Sequence, residues 1–139
     1  SHLAAIESER VDVLLCFSDY NLLRQSAAED ILPAAAARDL GVLNGWSIMR
    51  GWLTGVPVER FVPRDKWVED HQRCEAMRLW CGEHNVALLD LALQFCLREE
   101  RIHGHPIGSL NIAQLERNVQ AACASISDDV LTHFQSASI

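Results

Sequence analysis

The residues around Gly108 have the types and spacing of an anion-binding turn. Gly108 and Ser109 form a turn of small side chains after the apolar Ile107, and Asn111 stands where a helix would begin. An asparagine there can accept hydrogen bonds from the free N–H groups of the first helical turn. Because such N–H groups and the positive end of the helix dipole attract anions, the turn could bind a phosphate. The same residues also fit an ordinary strand-to-helix turn that binds nothing.

Polar and aromatic side chains follow two other apolar segments, at residues 19–21 and 44–47. Parallel sheets place binding sites beyond the carboxyl ends of their strands, so both groups are candidate ligand contacts. Trp46 could lie flat against a planar ligand, and Arg50 and Arg64 could pair with phosphate. The alternatives are polar loops, a core or lid tryptophan and solvated arginines.

Metal binding and nucleophilic catalysis find little support in the sequence. His103 and His105 would project from the same face of a strand, but no third ligand lies near them, so we predict no metal site. No G-x-S-x-G motif is present. The five cysteines contain no C-x-x-C pair, which indicates a reduced, cytoplasmic protein that uses cysteine as a small apolar residue.

Length and charge limit the possible partners. The 139 residues correspond to one domain, and the formal net charge is −7 with twelve scattered Lys and Arg residues. This charge argues against nucleic acid and anionic membrane as partners. Neither a signal peptide nor an apolar run long enough to span a bilayer occurs, which favours a cytoplasmic location.

The elements that would position these side chains alternate between strands and helices. The continuous apolar run at residues 11–17 predicts a strand buried on both faces, with further strands at 42–45 and 106–108. Composition and periodicity predict helices at residues 26–40, 67–83, 86–101, 112–122 and 130–135. Such alternation is typical of a parallel α/β sheet. The long irregular segment at residues 47–66 is predicted to be a binding loop.

Helix caps and buried faces follow from the same patterns. Ser26 and Ser127 are predicted N-caps, and Pro33 predicts a kink or a late helix start. The sidedness of the last three long helices predicts the following inward residues: Cys74, Met77, Trp80, Cys81, Leu89, Ala92, Leu93, Cys96, Leu97, Ile112, Leu115, Val119 and Cys123.

Three segments, in this order, resemble the C-terminal part of an aldo-keto reductase. They are VDVLLCFSDYNLL at 11–23, ILPAAAARDLGVLNGWSIMRGWLTG at 31–55 and LLDLALQFCLREERIHGHPIGSLNIAQLERNV at 88–119. The likeness is to the aldose 1-dehydrogenase branch, which includes L-fucose, L-galactose and D-threo-aldose dehydrogenases. It implies that residues 1–139 form one partial domain, namely the last three βα units (strands six to eight) of a TIM (β/α)8 barrel. It also implies a nicotinamide dinucleotide cofactor and a small sugar or aldehyde substrate in the full-length protein.

The resemblance also implies which residues bind the cofactor. Residues 18–20 would border the nicotinamide, residues 45–47 would flank its ring, and residues 48–53 would line the pyrophosphate. The turn at 108–109 would hold the adenosine phosphate, with two helix residues at the ribose and adenine. The implied cofactor-binding set is Ser18, Tyr20, Gly45, Trp46, Ser47, Ile48, Arg50, Gly51, Leu53, Gly108, Ser109, Gln114 and Asn118.

Two departures from the family pattern shape these expectations. NADP-using relatives commonly carry Lys and Arg at the positions of Gly108 and Gln114, so NAD is expected rather than NADP. The family's catalytic Asp, Tyr, Lys and His come from the first four strands, so no catalytic residue is expected in this chain and the isolated chain should be inactive.

Three hypotheses remain open from the sequence. The chain is part of a full-length dehydrogenase, and pairs with the missing half or with itself. Alternatively, it is a non-catalytic barrel remnant that acts as an interaction or assembly module. The third hypothesis is an unrelated βα protein that binds a nucleotide.

Overall fold

A computed structural model describes residues 2–57, 67–137 and 139 of the chain. Its elements are α1 (His2–Glu7), β1 (Val13–Phe17), α2 (Ile31–Ala36), β2 (Gly41–Gly45), α3 (Val68–Glu83), α4 (Leu88–Leu97), α5 (Ile112–Ala122) and α6 (Asp128–Ser136). Short 3₁₀ helices occur at Ser26–Ala28 and Met49–Gly51. The order confirms the α/β class, whereas Arg64 and part of the loop predicted at 47–66 lie outside the described residues.

The sheet contains two parallel strands where three were predicted. β1 and β2 pair in register from Val13↔Gly41 to Phe17↔Gly45. The chain that follows α4 touches β2 through a single bridge, Leu43↔Gly104, and no strand forms at residues 106–108. A side chain at Gly104 would lie 2.9 Å from the Leu43 side chain, so glycine permits this approach. Pro106, two residues after Gly104, has no N–H to donate and prevents the pairing from continuing regularly.

The two faces of β1 have different environments. Leu14 and Cys16 are buried against Leu32 of α2 in one hydrophobic cluster. The opposite face of the strand remains exposed through Val13, Leu15 and Phe17. The prediction that this apolar run is buried on both faces is therefore wrong for the described chain.

The segment predicted as one helix at 26–40 is divided. A 3₁₀ turn precedes α2, and the N-cap is Asp30, whose side chain accepts from Ile31 N, rather than Ser26. Pro33 is the third residue of α2, where its missing N–H removes no intrahelical bond. The late helix start that Pro33 predicted is thus confirmed.

Helices α3, α4 and α6 enclose the larger core around Met77, Leu91 and Phe134. The predicted buried side of α4 is confirmed except at Leu97, which is exposed. Four of the five cysteines are buried, and Cys123 is exposed. None of the helices in the described ranges is both long and apolar enough to cross a membrane.

Helix α5 lies against α4 through polar bonds at its middle and at its C-terminal end. Gln94 Nε2 donates to the Ala122 carbonyl oxygen at 2.8 Å, and Arg117 pairs with Asp90 at 2.5 Å. Ala121 is the buried residue of α5. The predicted inward face is wrong, because the following residues are all exposed: Ile112, Leu115, Val119 and Cys123.

Candidate functional site

An open groove of about 950 Å³ lies between the loop after β2 and the turn that leads into α5. Its size falls within the range of small-molecule sites, roughly 300–1,000 Å³. The lining residues are Trp46, Ser47, Ile48, Arg50, Gly51, Thr54, Val56, Leu89, Pro106, Ile107, Gly108, Ser109, Leu110, Asn111, Ala113, Gln114, Arg117 and Asn118.

The groove brings together nine of the thirteen residues expected to bind a cofactor. These are Trp46, Ser47, Ile48, Arg50, Gly51, Gly108, Ser109, Gln114 and Asn118. They come from two segments that are far apart in sequence. The bottom of the groove is apolar, since Ile48 and Ile107 pack against the buried Leu89 and Leu93.

The other four expected residues do not line this groove. Tyr20 is buried and stacks on Phe95 with 5.4 Å between ring centroids, and burial raises its pKa to about 12. Leu53 is fully buried in the larger core. Ser18 directly follows β1, and its N donates to the carbonyl oxygen of Gly45, the last residue of β2, at 3.1 Å.

The loop after β2 carries unusual backbone conformations. Trp46, Met49 and Arg50 have φ angles of 64°, 48° and 56°, in the left-handed region that side chains with a Cβ rarely adopt. Each such residue costs on the order of 1–3 kcal/mol, and strain of this kind concentrates at functional sites. The Trp46 ring lies 4.5 Å from the Phe17 ring, and the Arg50 guanidinium lies 5.6 Å from the Trp46 ring centroid.

A buried polar network holds this loop. Asn44 Nδ2 donates to the Tyr20 carbonyl oxygen at 2.7 Å and lies 3.2 Å from Ser47 Oγ. His105 Nδ1 lies 3.2 Å from Ser47 Oγ and 3.4 Å from Asn44 Nδ2. Burial lowers the pKa of His105, which keeps the imidazole neutral near pH 7 and able to accept a hydrogen bond.

The other end of the groove is the capped start of α5. Asn111 Oδ1 accepts from Gln114 N at 2.9 Å, as its predicted capping role requires, and Gln114 Oε1 accepts from Leu110 N at 2.8 Å. Within the described chain, the N–H groups of Ile112 and Ala113 have no protein acceptor. These free donors, together with the positive end of the helix dipole, can bind an anion.

Several lining residues were missed by the sequence predictions. Arg117 is the most informative, because it shares a helical face with Gln114 and Asn118 at i, i+3 and i+4 spacing. Asn118 Nδ2 also donates to Ser109 Oγ at 3.1 Å, so this face of α5 is bonded to the turn at residues 108–109. Helical spacing from Gln114 could have identified Arg117, whereas nothing local marks Thr54 or Val56.

The arrangement suits an elongated anionic ligand with a planar group at one end. Trp46 offers an aromatic surface at one end, Arg50 offers positive charge, and the start of α5 offers free N–H groups. Among the described residues, no group of three or more His, Cys, Asp or Glu side chains could hold a metal ion. His103 is instead used in the fold, where its Nδ1 accepts from Val42 N at 3.0 Å.

Known proteins resemble this chain in sequence. D-threo-aldose 1-dehydrogenase from Pseudomonas sp is 26% identical over 129 residues, which cover 88% of this chain and 38% of that protein. Pyridoxal 4-dehydrogenase from Microbacterium luteolum is 28% identical over 134 residues, which cover 95% of this chain and 39% of that protein. The chain therefore spans about two fifths of the length of these curated relatives.

A solved structure shares the fold of this chain. An aldo-keto reductase from Bacillus halodurans, solved in its holo form, superposes with a TM-score of 0.67 at 20% identity, covering 96% of this chain and 46% of that one. The sequence pattern of the aldo/keto reductase family matches residues 1–139. This chain therefore belongs to the aldo/keto reductase family.

Proposed function

We propose that this chain supplies the cofactor-binding part of an NAD-dependent oxidoreductase that acts on aldoses or aldehydes. The observation that carries the proposal is the groove, which joins the loop after β2 to the start of α5 and is lined by nine of the expected cofactor residues. Family membership supports the reaction class, and the names of the two curated relatives support an aldose or aldehyde substrate.

The residues of the groove fit the parts of a nicotinamide dinucleotide. Trp46 would face the nicotinamide, and Arg50 would neutralise pyrophosphate charge. The free N–H groups at the start of α5 would receive an adenosine phosphate oxygen, and Asn118 would contact the adenosine. When bound, the cofactor would supply the site that accepts or donates hydride, and the residues of this chain would bind and orient it.

NAD is preferred over NADP in this proposal because of the charges at the adenosine end. The 2′-phosphate of NADP adds up to about two negative charges. Gln114 would offer it an amide, and the neighbouring Glu116 would repel it. Arg117 is already paired with Asp90, which reduces its value to a second anion.

Calorimetric titration with NAD tests the proposal through a matched pair of arginine variants. Arg50→Asn removes the charge while keeping a residue that tolerates a left-handed backbone. We expect it to weaken NAD binding by roughly tenfold, which corresponds to about 1.4 kcal/mol. Arg98→Gln, which lies away from the groove, should leave binding unchanged. A wild-type protein that binds no NAD, or an Arg50→Asn variant that binds it equally well, would contradict the proposal.

The catalytic side of the reaction is proposed to come from outside this chain. We assign no catalytic residue to it and expect pure 139-residue material to show no NAD-dependent oxidation of L-fucose or L-galactose. Tyr20 could not replace the missing proton donor, because it is buried and its pKa is raised to about 12.

A second proposal rests on the uncovered face of β1. We propose that the chain pairs with a complementary part of the barrel or with another copy, because Val13, Leu15 and Phe17 leave an apolar stripe in water. Light scattering at rising concentration should show a mass above that of the monomer. A monomeric mass throughout would argue against self-association, and addition of the upstream barrel segment would then test the complementary pairing.

A further inference from the structure

We propose that His105 is a positioning residue that sets the direction of the Trp46 ring. It acts through Ser47 and Asn44, which lie on either side of the strained Trp46 backbone. The proposal rests on the proposed function, because Trp46 is placed there as the contact for the nicotinamide end of the cofactor. It gives a role to the buried network, which cofactor binding alone does not explain.

Buried polar residues lie before and after Trp46 in the chain. Asn44 and Ser47 are 0% and 1% exposed, and Gly45 and Trp46 are the two residues between them. Ser47 Oγ reaches back to the Asn44 carbonyl oxygen at 3.1 Å, and His105 Nδ1 lies within 3.4 Å of polar side-chain atoms of both residues. A four-residue turn is thus closed on itself and attached to the chain that precedes α5.

The positioning role needs a His105 whose Nδ1 accepts a hydrogen bond, and the network has a set of hydrogen bonds that fits this form. Asn44 Nδ2 carries two hydrogens, of which one goes to the Tyr20 carbonyl oxygen. The second can go to Ser47 Oγ, and the Ser47 hydroxyl hydrogen can then go to His105 Nδ1. This arrangement requires His105 to be neutral, with its proton on Nε2. The lowered pKa of His105, caused by its burial, favours the neutral imidazole.

The network fixes the residues on both sides of a strained backbone position. Trp46 has a φ of 64°, which a tryptophan leaves readily unless its neighbours are fixed. Its ring lies 4.5 Å from the Phe17 ring and 5.6 Å from the Arg50 guanidinium, so rotation of the backbone would remove both contacts and alter the lining of the groove. Without an acceptor at residue 105, Ser47 can turn fully to the Asn44 carbonyl, and the Ser47 end of the turn loses its bond to the chain that precedes α5.

Two variants at residue 105 distinguish the loss of a hydrogen-bond acceptor from a change in side-chain volume. His105→Asn places an amide oxygen close to the position of Nδ1 and keeps an acceptor, whereas His105→Leu fills space without one. In the ligand-free protein, the indole N–H resonance of Trp46, assigned by its loss in Trp46→Phe, should move in the leucine variant and stay near its wild-type position in the asparagine variant. An unmoved resonance in the leucine variant, or equal movement in both, would overturn the proposal.

Cofactor fragments provide the second arm of the test. His105→Leu should raise the Kd for NAD by roughly tenfold but change the Kd for ADP-ribose, which lacks the nicotinamide, by less than about twofold. Equal weakening of both ligands would indicate general damage and overturn the positioning role. If the wild type binds neither ligand, the proposed function fails, and the ligand-free indole resonance still decides whether His105 positions Trp46.

Discussion

The two faces of β1 have similar apolar side chains and opposite surroundings. Leu14 is 5% exposed and packs toward α2, whereas the next residue, Leu15, is 54% exposed. Helix α5 repeats the contrast, since Ala121 is buried while Leu115 and Val119 are exposed. Apolar periodicity therefore predicts which faces can be buried. Which of these faces are buried depends on the elements that pack against them. Within the described residues, the face of β1 that carries Val13, Leu15 and Phe17, here called its outer face, remains about half exposed.

The neighbouring leucines of β1 give the largest predicted difference. Leu14→Ala should lower the free energy of unfolding by about 2–5 kcal/mol, because it leaves a cavity against α2. Leu15→Ala should change it by no more than about 0.5 kcal/mol, because its side chain is already half in water. Urea denaturation of both variants at low protein concentration measures the difference. Similar losses for both would show that the outer face is covered as well.

A charge on the outer face sharpens the same comparison. If copies of the chain associate through this face, Leu15→Glu should weaken the association by about 2 kcal/mol, roughly thirtyfold, because the carboxylate would be desolvated. Leu97→Glu, at an exposed leucine of α4, is the control and should leave association unchanged. Light scattering over a concentration series measures the shift, and equal effects of the two variants would remove β1 from the interface.

The polar side of α5 provides a finer test of the groove. Gln114→Arg should improve NADP binding by about 1.4 kcal/mol, roughly tenfold, because a cation would face the 2′-phosphate, and it should change NAD binding little. The substitution also removes the bond from Leu110 N to Gln114 Oε1. Gln114→Leu loses that bond without adding charge and is the matched control. An unchanged NADP to NAD ratio in Gln114→Arg would show that this helix is not at the adenosine ribose.

The smallest predicted effect is on pH dependence. An unperturbed histidine has a pKa of about 6.5, and burial lowers the pKa of His105 in the folded protein. The unfolded chain therefore binds the proton more readily, and the free energy of unfolding should fall as the pH drops from about 6.5 toward the folded pKa. His105→Asn should remove this component of the decline. A pH profile of urea denaturation that is identical in both proteins would contradict it.

Local signals in the sequence predicted two helix caps correctly. Asn111 and Ser127 cap α5 and α6 as expected, because N-capping depends on a few neighbouring backbone groups. The family resemblance predicted that the loop after β2 and the turn before α5 contact the same ligand. These two segments do line one groove. The proximity of residues 46–51 to residues 108–118 could thus be predicted from the sequence, because the resemblance supplies the long-range arrangement that local patterns lack.

Features that depend on distant partners were not predictable in the same way. The third strand is reduced to a bridge at Gly104, because Pro106 lacks a donor and His103 already accepts from Val42 N through its ring. The exposed side of α5 has the periodicity of a buried one. Tyr20 stands directly beyond a strand end, as a site residue would, but its ring turns into the core against Phe95.

Amide hydrogen exchange with and without NAD would show directly whether the groove is the cofactor site. Saturating NAD should slow exchange in the segments at residues 46–51 and 107–118, which line the groove, and leave α3 and α6 unchanged. The same protection should be weaker with ADP-ribose at residues 46–51 and preserved at residues 107–118. Protection confined to other elements, or none at saturating NAD, would contradict the proposal that this chain binds a nicotinamide dinucleotide between β2 and α5.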